Sequence, residues 1–246
     1  MIWIIGGTSE ARELVDRLKN KVNYIITIAT EGGREFLDSE NVYVGRLNKE
    51  EMLQFAAQRD ITAVVDLSHP YAKIVSKNAK EISEELGIEY LRFVRSKSKH
   101  GNDVISLNSY EECYDYLQEI EGTVFFTTGS KNIGDFEKIK GSNRFIYRIL
   151  PAYESIMECR KFDIKMEDIV ALLGPFSLEF NKIMFHEYDA DYVIMKDSGA
   201  KGGTLEKINA CKELGIRTVI IDREEEDGFY SLEYLEKVII KKFKKD

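Results

Sequence analysis

The sequence predicts an α/β fold of two doubly wound, Rossmann-like or flavodoxin-like parallel-sheet domains with a ligand cleft between them. Three observations carry that expectation. Short apolar runs alternate with amphipathic stretches along all 246 residues, which is the rhythm of βαβ units. The runs are rich in β-branched residues and show no polar alternation, as strands buried on both faces do. Ten such runs are too many for one ordinary doubly wound sheet.

The expected strands are Ile2–Ile5, Tyr24–Ile28, Val42–Val44, Ala63–Leu67 and Tyr90–Val94, then Thr123–Thr127, Phe145–Ile149, Ile169–Leu173, Asp191–Met195 and Thr218–Ile221. Between them, Ser9–Lys19 places Ala11, Leu14, Val15 and Leu18 on one helical face. Similar patterns cover Lys49–Arg59, Tyr71–Leu86, Ser109–Ile120, Phe176–Tyr188, Thr204–Leu214 and Ser231–Lys242. Gly87 and Gly215 read as helix stops with a strand close behind. The polar, basic segment from Arg95 to Asn102 interrupts the alternation. Taken as a linker, it separates an N-terminal dinucleotide-binding domain, 1–98, from a C-terminal α/β domain, 99–246.

Composition narrows the partners. Apolar residues make up 43% and charged residues 32% of the chain, enough for a sizeable core. The net charge of −8 repels nucleic acid and anionic membrane surfaces, so neither is an expected partner. No apolar run approaches the roughly 20 residues of a membrane span. Cys113, Cys159 and Cys211 are odd in number and far apart, which argues for reduced thiols in a cytoplasmic protein and against a metal site.

Candidate chemistry sits where strands end. Gly6-Gly7-Thr8-Ser9-Glu10-Ala11 joins the first strand to a helix and offers backbone N–H groups to a pyrophosphate. It matches the dinucleotide fingerprint imperfectly, and alone it is also an ordinary tight turn. Glu31 follows the second strand, 25 residues after Gly6. A carboxylate there suits a free ribose hydroxyl and repels a 2′-phosphate, which favours NADH over NADPH, although Arg34 is nearby. Ser68, His69 and Tyr71 end the fourth strand, where rings can line a nicotinamide pocket or His69 can simply cap a helix, with Pro70 in that helix's first turn.

In the second half, Thr127-Thr128-Gly129-Ser130-Lys131 and Gly174-Pro175-Phe176-Ser177 again link strand to helix. The stretch from Lys196 through Asp197, Ser198, Gly199 and Lys201 to Gly202, Gly203 and Thr204 has the glycines of an anion-binding nest flanked by lysines.

Taken in order, these turns, with Val44-Gly45-Arg46-Leu47 and Arg148-Ile149-Leu150-Pro151, resemble the precorrin-6A reductase (cobalt-precorrin-6A reductase) family of cobalamin biosynthesis. The resemblance implies a nicotinamide-dependent reductase that reduces the macrocycle of precorrin-6A, or its cobalt complex, to the 6B form. It implies a cofactor held by Gly6, Gly7, Thr8, Ser9, Glu10 and Ala11, with Glu31, Ser68, Gly202, Gly203 and Thr204 alongside. Glu31 resembles the anaerobic, cobalt-containing branch and NADH use, with NADPH open. A polycarboxylate tetrapyrrole asks an acidic protein for local cations, for which Lys131, Arg148, Lys196 and Lys201, with Asp197 and Ser198, are the candidates. Tyr71, His69 and Lys131 are candidate proton donors. The same turns also suit a generic NAD(P)H-dependent reductase or a non-catalytic nucleotide-binding module.

Overall fold

A computed structural model describes the chain except residues 38, 99, 100, 102, 224, 225 and 246, so the linker positions Lys99, His100 and Asn102 lie outside the described residues. The chain divides into two compact units: Met1–Arg95 with Glu225–Asp246, and Ser96–Glu224.

Unit 1 runs β1 (Ile2–Ile5), α1 (Ser9–Leu18), β2 (Tyr24–Ile28), α2 (Glu31–Arg34), β3 (Val42–Val44), α3 (Lys49–Ala57), β4 (Ala63–Asp66), α4 (Lys73–Leu86) and β5 (Glu89–Arg92). Its five strands are all parallel, in the order β3-β2-β1-β4-β5. Strand geometry sends alternate β1 side chains to opposite faces. Ile2 and Ile4 join Leu14, Val15 and Leu18 of α1, whereas Trp3 and Ile5 join Met52 and Phe55 of α3 and Ile82 of α4.

Unit 2 runs β6 (Val104–Leu107), α5 (Tyr110–Gln118), β7 (Thr123–Phe126), α6 (Ile133–Lys138), β8 (Arg144–Ile149), α7 (Tyr153–Lys161), β9 (Ile169–Ala171), α8 (Leu178–Glu187), β10 (Tyr192–Lys196), α9 (Thr204–Leu214) and β11 (Arg217–Ile221). Its six strands are parallel in the order β6-β11-β10-β7-β8-β9. The final helix, α10 (Leu232–Phe243), belongs to unit 1.

That placement differs from the expected division, which put residues 225–246 with the second half. The reason is packing: Leu235 and Ile239 of α10 are fully buried in the α1-side core of unit 1. Arg17 on α1 also pairs with Glu236 at 3.3 Å. β6, α2, α6 and α7 were not expected. The helix expected from Tyr71 starts at Lys73 instead, so Pro70 precedes its first turn.

Each sheet has one place where the chain reverses its direction of travel across the strand order. In unit 1 it lies between β1 and β4, and in unit 2 between β7 and β10. Ligands of open parallel sheets bind outside the carboxyl ends of such strand pairs. Among the described residues, no helix is long and apolar enough to cross a membrane.

Candidate functional site

The β1 turn of unit 1 separates into residues that build the turn and residues that leave it open. A Cβ on Gly6 would stand 2.7 Å from Ile26 Cδ1 and 3.2 Å from the Thr27 carbonyl, so this glycine serves packing against β2. Gly7 has φ +108, and a Cβ there would meet nothing within 4 Å. Thr8 caps α1: its hydroxyl accepts from the Ala11 N–H at 3.2 Å and donates to the Leu67 carbonyl at 2.8 Å. That second bond ties the β1 turn to the β4 loop. Ala11 is buried in the core, and Ser9 Oγ donates to Glu10.

Glu10, 3% exposed, faces Arg95 at 2.6 Å. Burial pushes its pKa up, but the Arg95 hydrogen bond and charge, its own amide and Ser9 outweigh that and hold it below the usual value. Glu31 is exposed at the start of α2, with Arg34 at that helix's other end.

A buried ionic network finishes β4. Asp66 is fully buried, lies 3.0 Å from Arg92 Nη1, and accepts from Tyr90 Oη and the Ser68 N–H, both at 2.8 Å. Arg92 donates to the Ser68 carbonyl and hydroxyl and, through Nε, to Glu226 at 3.0 Å. Burial, with the Asp66 charge next, pushes the Tyr90 hydroxyl far up, so it stays a donor. Ser68 is thus held inside this network, with Ser76 Oγ 3.0 Å away. Beyond it, His69 Nδ1 accepts from the Tyr71 N–H at 3.3 Å, with the two ring centroids 5.8 Å apart. Because Nδ1 accepts, the neutral ring carries its proton on Nε2.

In unit 2, Thr127 Oγ1 donates to the Ile194 carbonyl at 3.2 Å, joining the β7 and β10 ends. Thr128 Oγ1 is buried and without a hydrogen-bond partner among the described residues. Gly129 has φ +79 and open space at its Cβ position. Lys131 is exposed, and Lys196 lies over the Tyr110 ring at 5.6 Å. Burial, then the like charge of Lys131, brings Lys196 down to about 8.

The rest of the β10 loop is internally tied. Asp197 is buried and accepts from the Ser98 N–H at 2.8 Å and the Gly199 N–H at 3.0 Å. The Ser198 N–H donates to Thr204 Oγ1 at 3.1 Å, which closes the loop over a 3-10 turn at Ala200–Gly202. Gly203 takes the left-handed conformation that opens α9, and Lys201 is exposed. Arg148 is not a loop residue: it lies in β8 and donates to Asn181 Oδ1 at 2.8 Å.

The structure therefore joins the β1 turn to the β4 loop and Lys131 to Lys196. Thr8, Ser68, Asp197 and Thr204 have hydroxyls or carboxylates engaged within the protein, and only their loops are offered to a ligand. Arg92, Arg95 and Tyr110 are contributors that the strand-end motifs did not indicate. Arg92 and Arg95 lie at or after β5, outside every glycine-bearing turn.

Parallel α/β units with open glycine turns at their strand reversals define the dinucleotide-type class of enzymes and binding proteins. The family described as Precorrin-6x reductase CbiJ/CobK matches residues 1–239. The chain belongs to this family, and is an oxidoreductase of cobalamin biosynthesis. The cobalt-precorrin-6A reductase of Priestia megaterium is 34% identical over 231 residues, covering 91% of this chain and 90% of its own. That of Methanocaldococcus jannaschii is 33% identical over 232 residues, covering 92% and 91%. Among solved structures, CobK precorrin-6A reductase aligns with a TM-score of 0.82 at 19% identity, over 98% of this chain and 96% of its own, which establishes a shared fold. The resemblance drawn from the ordered motifs is thereby confirmed, and a reductase of this family uses a nicotinamide-type hydride donor.

Proposed function

We propose that the protein reduces the macrocycle of cobalt-precorrin-6A to the 6B form, with NADH as the preferred hydride donor. One observation carries the reading: family membership over nearly the whole chain coincides with an open, positive-φ glycine, Gly7, at the β1–β4 reversal. A cradle that a Cβ would fill fits a dinucleotide pyrophosphate there. When bound, the nicotinamide supplies the hydride.

The chain's own residues position and protonate. Backbone N–H groups of Gly7, Thr8 and Ser9 face the pyrophosphate, Gly6, Glu10 and Ala11 fix the shape of the turn around them, and α1 adds its positive end. Glu31 accepts from the adenosine ribose, and Ser68 holds the β4 loop in place. Gly202, Gly203 and Thr204 shape a second nest of N–H groups. Lys131, Lys196 and Lys201 draw acid groups of the tetrapyrrole, while Asp197 and Ser198 set the loop that carries them. Proton delivery falls to His69 Nε2–H, Tyr71 or Lys131. The use of cobalt-loaded substrate is supported by the relatives from Priestia megaterium and Methanocaldococcus jannaschii, both cobalt-precorrin-6A reductases.

The test is anaerobic NADH oxidation with cobalt-precorrin-6A, metal-free precorrin-6A and no acceptor. Stoichiometric formation of the reduced macrocycle from the cobalt complex is expected. NADH binding without turnover of either precursor would overturn the substrate, and turnover with NADPH alone would overturn the donor.

A further inference from the structure

Unit 2 contains a second pair of cations, away from Lys131 and Lys196. Lys207 stands in the first turns of α9 on the face that also buries Thr204, Ile208 and Cys211. It is 5% exposed, and among the described residues no hydrogen bond or ion pair reaches its Nζ. Arg148 approaches from β8. It donates through one Nη to Asn181 Oδ1 and Met184 Sδ, both uncharged, and lies 5.0 Å from the Phe176 ring centre. No carboxylate among the described residues is within ion-pair distance of Arg148 either.

The groups facing Lys207 are Arg148, the Cys211 thiol, Asp197 and Glu206. Asp197 already accepts from the Ser98 and Gly199 amides. Glu206 Oε2 is buried with no hydrogen-bond partner among the described residues. Above them, the β9 loop presses on the start of α9: a Cβ on Gly203 would stand 3.2 Å from Pro175 Cβ and 3.8 Å from Glu206 Oε2. Enclosing two like charges with no carboxylate at ion-pair distance is costly, and removing such charges in favour of apolar groups is often stabilising. Desolvated, clustered titratable groups of this kind mark functional sites.

We propose that Lys207 and Arg148 form an oxyanion subsite beneath the β9 loop, which takes one carboxylate or phosphate of a bound ligand. It deepens the reductase reading, on which it rests only for the ligand's identity. Burial and the Arg148 charge bring Lys207 down to about 7, a charge state that an arriving anion restores.

The experiment follows thermal denaturation at constant ionic strength with propionate, inorganic phosphate or 2′,5′-ADP as probes. Wild-type Tm is expected to rise with the anion through mass action. The rise is expected to vanish in Lys207→Met and Arg148→Met and to return in Lys207→Arg. Response to propionate assigns the subsite to a substrate carboxylate, and response confined to phosphate and 2′,5′-ADP assigns it to the dinucleotide. No rise with any probe, or a rise unchanged in Lys207→Met, overturns the proposal. Should Lys207→Met fail to fold, Arg148→Met and Lys207→Arg decide between the same outcomes. The readout needs no turnover, so loss of the subsite and loss of the reductase reading are separately visible.

Discussion

The carboxyl ends of the two sheets share a topology and differ in how their charges are finished. In unit 1, each buried carboxylate at this edge has an arginine: Asp66 faces Arg92 and Glu10 faces Arg95. In unit 2, Arg148 is enclosed beside uncharged partners, Lys207 has no carboxylate at ion-pair distance among the described residues, and Lys196 is desolvated near Lys131. The first edge is electrostatically complete and offers open backbone. The second carries a cationic surplus inside an acidic chain. An edge of the first kind suits a ligand gripped by amides at Gly7, and one of the second kind suits a ligand that brings its own negative charge.

The largest expected break in this comparison comes from Arg92→Leu, which leaves Asp66 buried and unpaired. Urea denaturation should show a loss of about 3–5 kcal/mol, while Arg148→Leu, which orphans no carboxylate, should stay within about 1 kcal/mol of wild type. Equal losses would remove the contrast between the edges. Next come the two glycines of the β1 turn. Gly6→Ala should cost about 1–3 kcal/mol through crowding of Ile26, whereas Gly7→Ala should cost about 1 kcal/mol through its backbone and weaken NADH binding in calorimetry. Unchanged NADH affinity would take Gly7 out of the cofactor site.

The two edges should also respond to pH in different windows, each gaining stability as pH rises. Glu10 titrates below its usual 4.5, so its contribution is complete above that value and lost as pH falls through the folded pKa. Lys207 titrates near 7 against a usual 10.5, facing Arg148, Cys211, Asp197 and Glu206. Its burial penalty is full below about 7 and relieved as pH rises toward 10.5, because the unfolded chain then binds the extra proton. Stability curves of Glu10→Gln and Lys207→Met against wild type, compared by urea midpoints across pH, should lose these acid and alkaline dependences respectively. The smallest effect is at the exposed Glu31: Glu31→Lys should move the NADPH-to-NADH ratio of kcat/KM by about two- to fivefold toward NADPH. No movement would separate that carboxylate from cofactor choice.

Most of the α/β rhythm was legible because strands buried on both faces leave an apolar run and their helices an amphipathic one. β6 escaped because it is an edge strand: it pairs only with β11, is partly exposed, and carries Ser106 in its middle. α6 has six residues, too few for a period to establish itself. The glycine turns were found at the correct strand ends. Which of their polar atoms remain available was not legible, because the answers lie far along the chain: Leu67 for Thr8, Arg92 for Ser68, Ser98 for Asp197. Lys207 did leave a trace, since Thr204, Lys207, Ile208 and Cys211 fall at helical spacing and place a cation on an otherwise enclosed face.

The position of α10 has a consequence for synthesis. Unit 2 is one uninterrupted stretch, 96–224, and a nascent chain holds all of it before the last helix leaves the ribosome. Unit 1, though begun first, waits for the final residues to bring Leu235 and Ile239 against Leu14 and Leu18. Translation arrested before residue 225 would release a complete second half joined to a first half with an open seam along α1, the surface on which a chaperone or a protease would act.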